Sequence, residues 1–176
     1  MTSNILAISG SLRFRSANTE TLRAAAMVAP PSITVTLFDG LASLPHFNPD
    51  FDVEGAVLPE LVQRLRSMIG GADALLISSP EYAHGVPGSL KNLLDWLVSA
   101  PETVFKPIGL LNVSPRSTHA YISLAETLRT MSTVLVPTAC VEIPIAGSGG
   151  DAVALAGDPE IAARLRSVLT ALAAAP

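Results

Sequence analysis

Short apolar runs rich in β-branched residues alternate along this chain with longer segments in which apolar positions recur every three or four residues. The short runs read as strands and the longer ones as amphipathic helices, an alternation that predicts βαβ units and a parallel sheet covered on both faces. Strands are expected over Asn4–Ser9, Ile33–Phe38, Asp73–Ser79, Pro107–Val113 and Cys140–Pro144. The runs Asp73-Ala-Leu-Leu-Ile-Ser-Ser and Ile108-Gly-Leu-Leu-Asn-Val are nearly continuous hydrophobics, as strands buried on both sides must be. Helical stripes recur at Leu58, Leu61, Val62, Leu65, Met68 and Ile69, and again at Leu90, Leu93, Leu94, Leu97 and Val98. Two more are Tyr121, Leu124, Ala125, Leu128 and Met131, then Ile161, Leu165, Val168, Leu169 and Leu172, and a further helix is expected from about Asn18. Pro87 is placed to open the third helix, and Asp158 to cap the last one with Pro159 as its first residue. The stretch Asp39–Val57 has no period and is rich in Pro, Gly and Asp; loops of that length in a compact domain are functional or lie at an interface.

Length and composition narrow the class. The 176 residues suit one domain, 1–176, and 49% hydrophobic against 15% charged residues supply one large core rather than a disordered chain. Eleven Lys+Arg against fifteen Asp+Glu give a formal net charge of −4 with no basic run, which excludes the electrostatic footprint of a nucleic-acid binder. The single cysteine, Cys140, rules out an internal disulfide and a thiolate-rich metal site and fits a reducing compartment, here read as the cytoplasm. Three scattered histidines, His46, His84 and His119, form no spaced ligand motif, so no metal is expected. No segment approaches the roughly 20 apolar residues that cross a bilayer, and the N-terminus lacks the charge of a signal peptide.

An open parallel sheet of order 2-1-3-4-5 binds ligands beyond the carboxyl ends of its strands, between the first and third, where the order reverses. The loop after the first strand, Gly10-Ser-Leu-Arg-Phe-Arg-Ser-Ala-Asn-Thr, matches neither the dinucleotide fingerprint nor the phosphate loop of nucleoside triphosphatases. It instead places Ser11, Arg13, Ser16, Asn18 and Thr19 just before a helix N-terminus, donors suited to a terminal phosphomonoester. The same residues also read as a plain N-cap followed by solvent-facing charges. The loop after the third strand, Pro80-Glu-Tyr-Ala-His-Gly-Val-Pro-Gly, is a stiff turn with exposed amides, and Tyr82 and His84 add flat surfaces against which a planar heteroaromatic could lie. Taken singly, His84 reads rather as an exposed loop residue and Tyr82 as a lid on the core.

These two motifs, Gly10-Ser-Leu-Arg-x-x-Ser-x-Asn and Pro80-Glu-Tyr-x-His-x-x-Pro-x-x-Leu-Lys-Asn-x-x-Asp-Trp, resemble those of the NADPH-dependent FMN reductase family, which includes quinone, azo-dye and chromate reductases. The resemblance covers roughly Ile5 to Pro144. It implies a flavodoxin-like α/β fold, a three-layer sandwich around a five-stranded parallel sheet of order 2-1-3-4-5. It implies FMN as cofactor and NADPH or NADH as co-substrate, with Ser11, Arg13, Ser16, Asn18 and Thr19 at the phosphate and Pro80, Glu81, Tyr82, Ala83 and His84 bordering the ring. Two departures from the family pattern stand out. Ala83 replaces an Asn, and the usually glycine-rich fourth loop is Ser114-Pro-Arg-Ser-Thr-His, which narrows the pocket or brings Arg116 and His119 to it as donors. Arg116 has a plain alternative as a solvated charge, Cys140 as a small core hydrophobe, and Glu81 as a residue held by its turn.

A flavin carries the redox chemistry itself, so no catalytic acid or nucleophile is required of the protein. The activity implied is hydride transfer from NAD(P)H to FMN and on to a small acceptor such as a quinone, by a ping-pong sequence. The competing readings are an electron carrier, a non-catalytic FMN-binding protein, and a flavin reductase that releases reduced FMN to an oxygenase. Ser89, Asn92, Trp96 and Ser99 form a second face of the third helix, and aromatics with adjoining polar groups favour interfaces. With the family resemblance, that face predicts a homodimer, or a dimer of dimers, with Asp39–Val57 near the contact; the alternative is an aromatic packed against its own chain.

Overall fold

The computed structural model describes residues 2–145 and 150–176. Its elements follow the alternation read from the sequence: β1 (Ser3–Ser9), α1 (Ala17–Val28), β2 (Ile33–Leu37), α2 (Glu60–Gly70), β3 (Ala74–Ser78), α3 (Gly88–Asp95), β4 (Pro107–Asn112) and α4 (Thr118–Thr130). β5 (Val134–Leu135), β6 (Val141–Glu142), α5 (Ala152–Gly157) and α6 (Pro159–Ala173) complete the chain. All strand pairs are parallel, in the order β2-β1-β3-β4-β5, with β6 also on β4. This is the flavodoxin-like order expected.

Strand alternation divides the core in two. Leu6, Ile8, Leu75, Ile77, Ile108 and Leu110 face the layer of α2, α3 and α4, whereas Ile5, Ala7, Ala74, Leu76 and Leu111 face α1, α5 and α6. Because every residue of β3 and β4 is buried, those strands read as nearly continuous hydrophobics, polar only at Ser78 and Asn112 where they end. Asp158 caps α6 as expected, accepting from the N–H groups of Glu160 and Ile161 at 2.9 and 3.0 Å, with Pro159 at the first helical position. Pro87 stands one residue further out than expected, at the N-cap of α3. Among the described residues no helix is long and apolar enough to cross a membrane.

Three expectations are corrected. The fifth strand, expected over Cys140–Pro144, is two short pieces: β6 holds only Val141–Glu142, and β5 pairs with the start of β4. A 3₁₀ turn, Pro137–Ala139, separates them, since proline lacks the N–H that a ladder needs. Cys140 therefore ends a turn, partly buried, instead of lying within a strand. Val98, placed in the core stripe of α3, is 66% exposed because the helix ends at Asp95.

The third correction concerns Trp96, which is not a surface aromatic open to a second copy but is fully buried. Its indole N–H donates to the Pro45 carbonyl at 2.8 Å, and its ring meets Phe47 edge-on with centroids 5.1 Å apart. Asn92 holds the same segment twice, accepting from the Phe47 N–H at 2.7 Å and donating to the Pro45 carbonyl at 2.9 Å. Asp52, further along, accepts from the Arg66 guanidinium at 2.8 Å and from the Ser99 hydroxyl. Asn92, Trp96 and Ser99 are thus spent on the chain's own 39–57 segment, which the period-less sequence could not reveal.

Candidate functional site

At the carboxyl end of the sheet, β1, β3 and β4 each finish on a polar residue: Ser9, Ser78 and Asn112. Gly10 follows β1 so closely against the third loop that a Cβ there would stand 2.5 Å from the Ser79 Oγ, and its N–H donates to the Ser78 carbonyl at 2.8 Å. Only glycine allows the first and third loops to pack this tightly.

The first loop is internally ordered. The Ser11 N–H donates to the Ser9 Oγ and the Arg13 N–H to the Ser11 Oγ, both at 3.3 Å. Ser16 takes the N-cap position of α1 with extended backbone (φ −123°) and is buried, yet its hydroxyl makes no capping hydrogen bond. The plain N-cap role weighed for Ser16 is therefore not what its side chain performs, and the first turn of α1 keeps N–H groups without a side-chain partner. Asn18 and Thr19 are turned inward: the Asn18 Oδ1 accepts from the Ser78 Oγ at 2.8 Å, and the Thr19 Oγ1 lies 2.8 Å from the Ser9 Oγ. Their oxygens hold the helix to the sheet, which leaves the buried hydroxyls of Ser11 and Ser16, the exposed Arg13 guanidinium and the helix terminus as the remaining donors.

The charge balance favours an anion. Arg13, Arg15 and Arg116 are exposed on the two flanking loops, and among the described residues none of them makes an ion pair. The carboxylate of Glu20, in the first turn of α1, is taken up by Arg23 at 2.6 Å and by the Ala152 N–H at 3.0 Å.

The third loop is a tight hairpin. Tyr82 and Gly85 exchange both backbone hydrogen bonds, at 3.1 and 2.9 Å, and Ala83 and His84 between them have φ of 50° and 60°. Two consecutive left-handed residues define the turn type that Asn-Gly suits best. The Ala in place of Asn therefore bears on backbone geometry as well as on a lost amide. Ala83→Asn is expected to raise stability by about 1 kcal/mol, or roughly 2–4 °C in melting temperature. Thermal denaturation checks this, and an unchanged or lower midpoint contradicts it.

Glu81 is held not by its own turn but by the neighbouring helix: its Oε2 accepts from the Ala120 N–H at 2.8 Å, in the first turn of α4. The N-cap of α4, Ser117, makes no side-chain capping bond, so Glu81 supplies the acceptor from across the crevice. In the fourth loop the Asn112 Oδ1 accepts from the Ser114 N–H at 3.2 Å, and the Ser114 Oγ from the Arg116 N–H at 3.4 Å. The rings of His84 and His119 stack with centroids 4.2 Å apart. Pro80, Glu81, Tyr82, Ala83, His84, Ser114 and Arg116 are thus on adjoining loops, with Ser11, Arg13 and Ser16 on the loop beyond β1. Ser9, Ser78 and Asn112 were not singled out from the sequence; their signal was a polar residue closing an otherwise apolar strand.

Tyr121 and Cys140 lie beside each other in a groove of about 420 Å³ between α4 and β5, apart from these loops. Burial pushes Tyr121 up to about 12 and raises the Cys140 thiol, so both stay protonated at neutral pH and neither is an activated nucleophile.

In a flavodoxin-like sheet the ligand position is the switch point, which here lies beside the uncapped N-terminus of α1. Residues 3–147 match the model of the NADPH-dependent FMN reductase family, and the chain belongs to that family. It is 40% identical over 112 residues to the NAD(P)H-dependent FMN reductase PA1204 of Pseudomonas aeruginosa, covering 62% of this chain and 59% of that protein. To the quinone reductase of Pseudomonas putida it is 33% identical over 153 residues, covering 85% of this chain and 79% of that one. In three dimensions it resembles FerB, a flavoenzyme NAD(P)H:(acceptor) oxidoreductase from Paracoccus denitrificans, with a TM-score of 0.75 at 24% identity over 99% of this chain and 97% of that one.

Proposed function

We propose that this chain is a single-domain, FMN-dependent NAD(P)H oxidoreductase that delivers electrons to a small acceptor such as a quinone. The observation that carries this reading is the donor set after β1: an uncapped first turn of α1, buried Ser11 and Ser16, and an Arg13 without an ion pair. Those groups fit a phosphomonoester, whose two negative charges need several charge-assisted donors and a positive helix end.

In this reading Arg13, Ser11, Ser16 and the α1 amides hold the phosphate. Asn18 and Thr19 serve it at one remove, their side chains fixing α1 against β1 and β3. The hairpin Pro80–His84 and the Ser114–Arg116 loop border the ring, presenting backbone groups and flat faces. FMN held by these residues would supply two-electron chemistry between reduced nicotinamide and a small acceptor. Glu81, bound to an amide of α4, shapes the border and moves no proton. Ping-pong kinetics belong to the same proposal, donor and acceptor using one site in turn. A homodimer, with Asp39–Val57 near the contact, belongs to the same proposal: Phe51, Val53 and Val57 of that segment are exposed apolar side chains.

The test is the visible spectrum of the purified protein before and after anaerobic NADPH. A bound flavin that bleaches, then regains its colour on adding a quinone, is expected. A flavin that stays oxidised would point to a carrier or sensor, and weak retention with turnover only on added FMN to a flavin-releasing reductase. Failure to take up added FMN would overturn the proposal.

A further inference from the structure

The loops after β3 and β4 are joined at two points. One is the Glu81 carboxylate on the Ala120 N–H at 2.8 Å. The other is the pair of imidazoles, His84 and His119, stacked 4.2 Å apart and within 19° of parallel. Both histidines are exposed, so neither ring is driven into place by burial in a core. The contact of ring face on ring face itself joins the two loops at this point.

The backbone is arranged for this contact. His84 reaches it through a left-handed conformation (φ 60°), closed by the reciprocal hydrogen bonds of Tyr82 and Gly85. A non-glycine residue holds such a conformation only where its surroundings over-determine it, and such residues cluster at ligand clamps and active sites. On the opposite side, His119 lies in the first turn of α4, next to the amide that binds Glu81. The two fastenings are therefore adjacent on both loops.

We infer that the His84–His119 stack is a clasp that sets the width of the crevice between these loops, making both histidines positioning residues for a planar ring held there. This rests on the reading that the ring of FMN is bordered by these loops, alongside the stacked pair and not within it. The clasp acts on the ring end of the ligand, whereas Arg13 acts on the phosphate, so a flavin without phosphate separates the two.

The test compares His119→Ala with His119→Phe, which keeps a flat ring. In the flavin-free protein, amide hydrogen exchange over residues 80–86 and 114–120 should accelerate in His119→Ala and return to the wild-type rate in His119→Phe. FMN and riboflavin should both bind about two- to tenfold more weakly to His119→Ala, by the same factor, and recover with His119→Phe. Unchanged exchange in His119→Ala, unchanged affinity despite faster exchange, or a His119→Phe variant as impaired as His119→Ala would overturn the clasp. If the wild-type protein took up no flavin, the functional reading would fall, while faster exchange in both loops of His119→Ala would still support the clasp.

Discussion

Arg13→Ala is expected to weaken FMN binding roughly 10- to 100-fold while leaving riboflavin affinity nearly unchanged. Hydrogen bonds from a guanidinium to an ionised phosphate are worth about 1.5–3 kcal/mol, more than neutral ones. Among the described residues Arg13 makes no ion pair, and the acidic residue of α1, Glu20, is engaged by Arg23 and the Ala152 amide. Its charge is thus committed to whatever anion the loop receives. Titration of flavin fluorescence with each variant measures both ligands. Equal losses for FMN and riboflavin would place Arg13 somewhere other than the phosphate. The loss should also shrink at high salt, because Arg13 is exposed and its charge is screened there.

Trp96→Ala is expected to cost about 3–5 kcal/mol of folding stability, a large part of what a domain of this size possesses. The indole is fully buried in the layer beneath α2 and α3, so its removal leaves a cavity as well as a lost transfer contribution. It also releases the 39–57 segment, which the indole holds through Pro45 and Phe47. Trp96→Phe retains a ring and forfeits mainly the hydrogen bond, so a smaller loss of about 1 kcal/mol is expected on that account. Urea denaturation gives the stabilities, and limited proteolysis within 39–57 reports release of the segment. Near-wild-type stability of Trp96→Ala would show that Trp96 does not anchor this part of the core.

Much of the architecture was legible because strand and helix periods are local. β1, β3 and β4 appeared as apolar runs, since a strand covered on both faces has no polar side to display. Asp158 and Pro159 announced α6 through the capping chemistry of two residues. The fifth strand was misplaced because β5 and β6 are two residues each, too short for a period. Trp96 was misread because a helix face gives no sign of whether a second copy or its own chain will cover it.

At the crevice the division is sharper. Residue types and their order marked the two loops, since a phosphate calls for arginine and hydroxyls before a helix and a flat ring for a stiff turn. What those residues do with their side chains depended on folding: the inward turn of Asn18 and Thr19, the Glu81 carboxylate on α4, and the meeting of His84 with His119. His84 and His119 are 35 positions apart in the chain, as their numbers show. The parallel alignment of β3 with β4 brings their loops side by side. Local chemistry could therefore nominate candidate residues, but the partners of their side chains came from strand pairing, a long-range outcome that no short stretch of sequence contains.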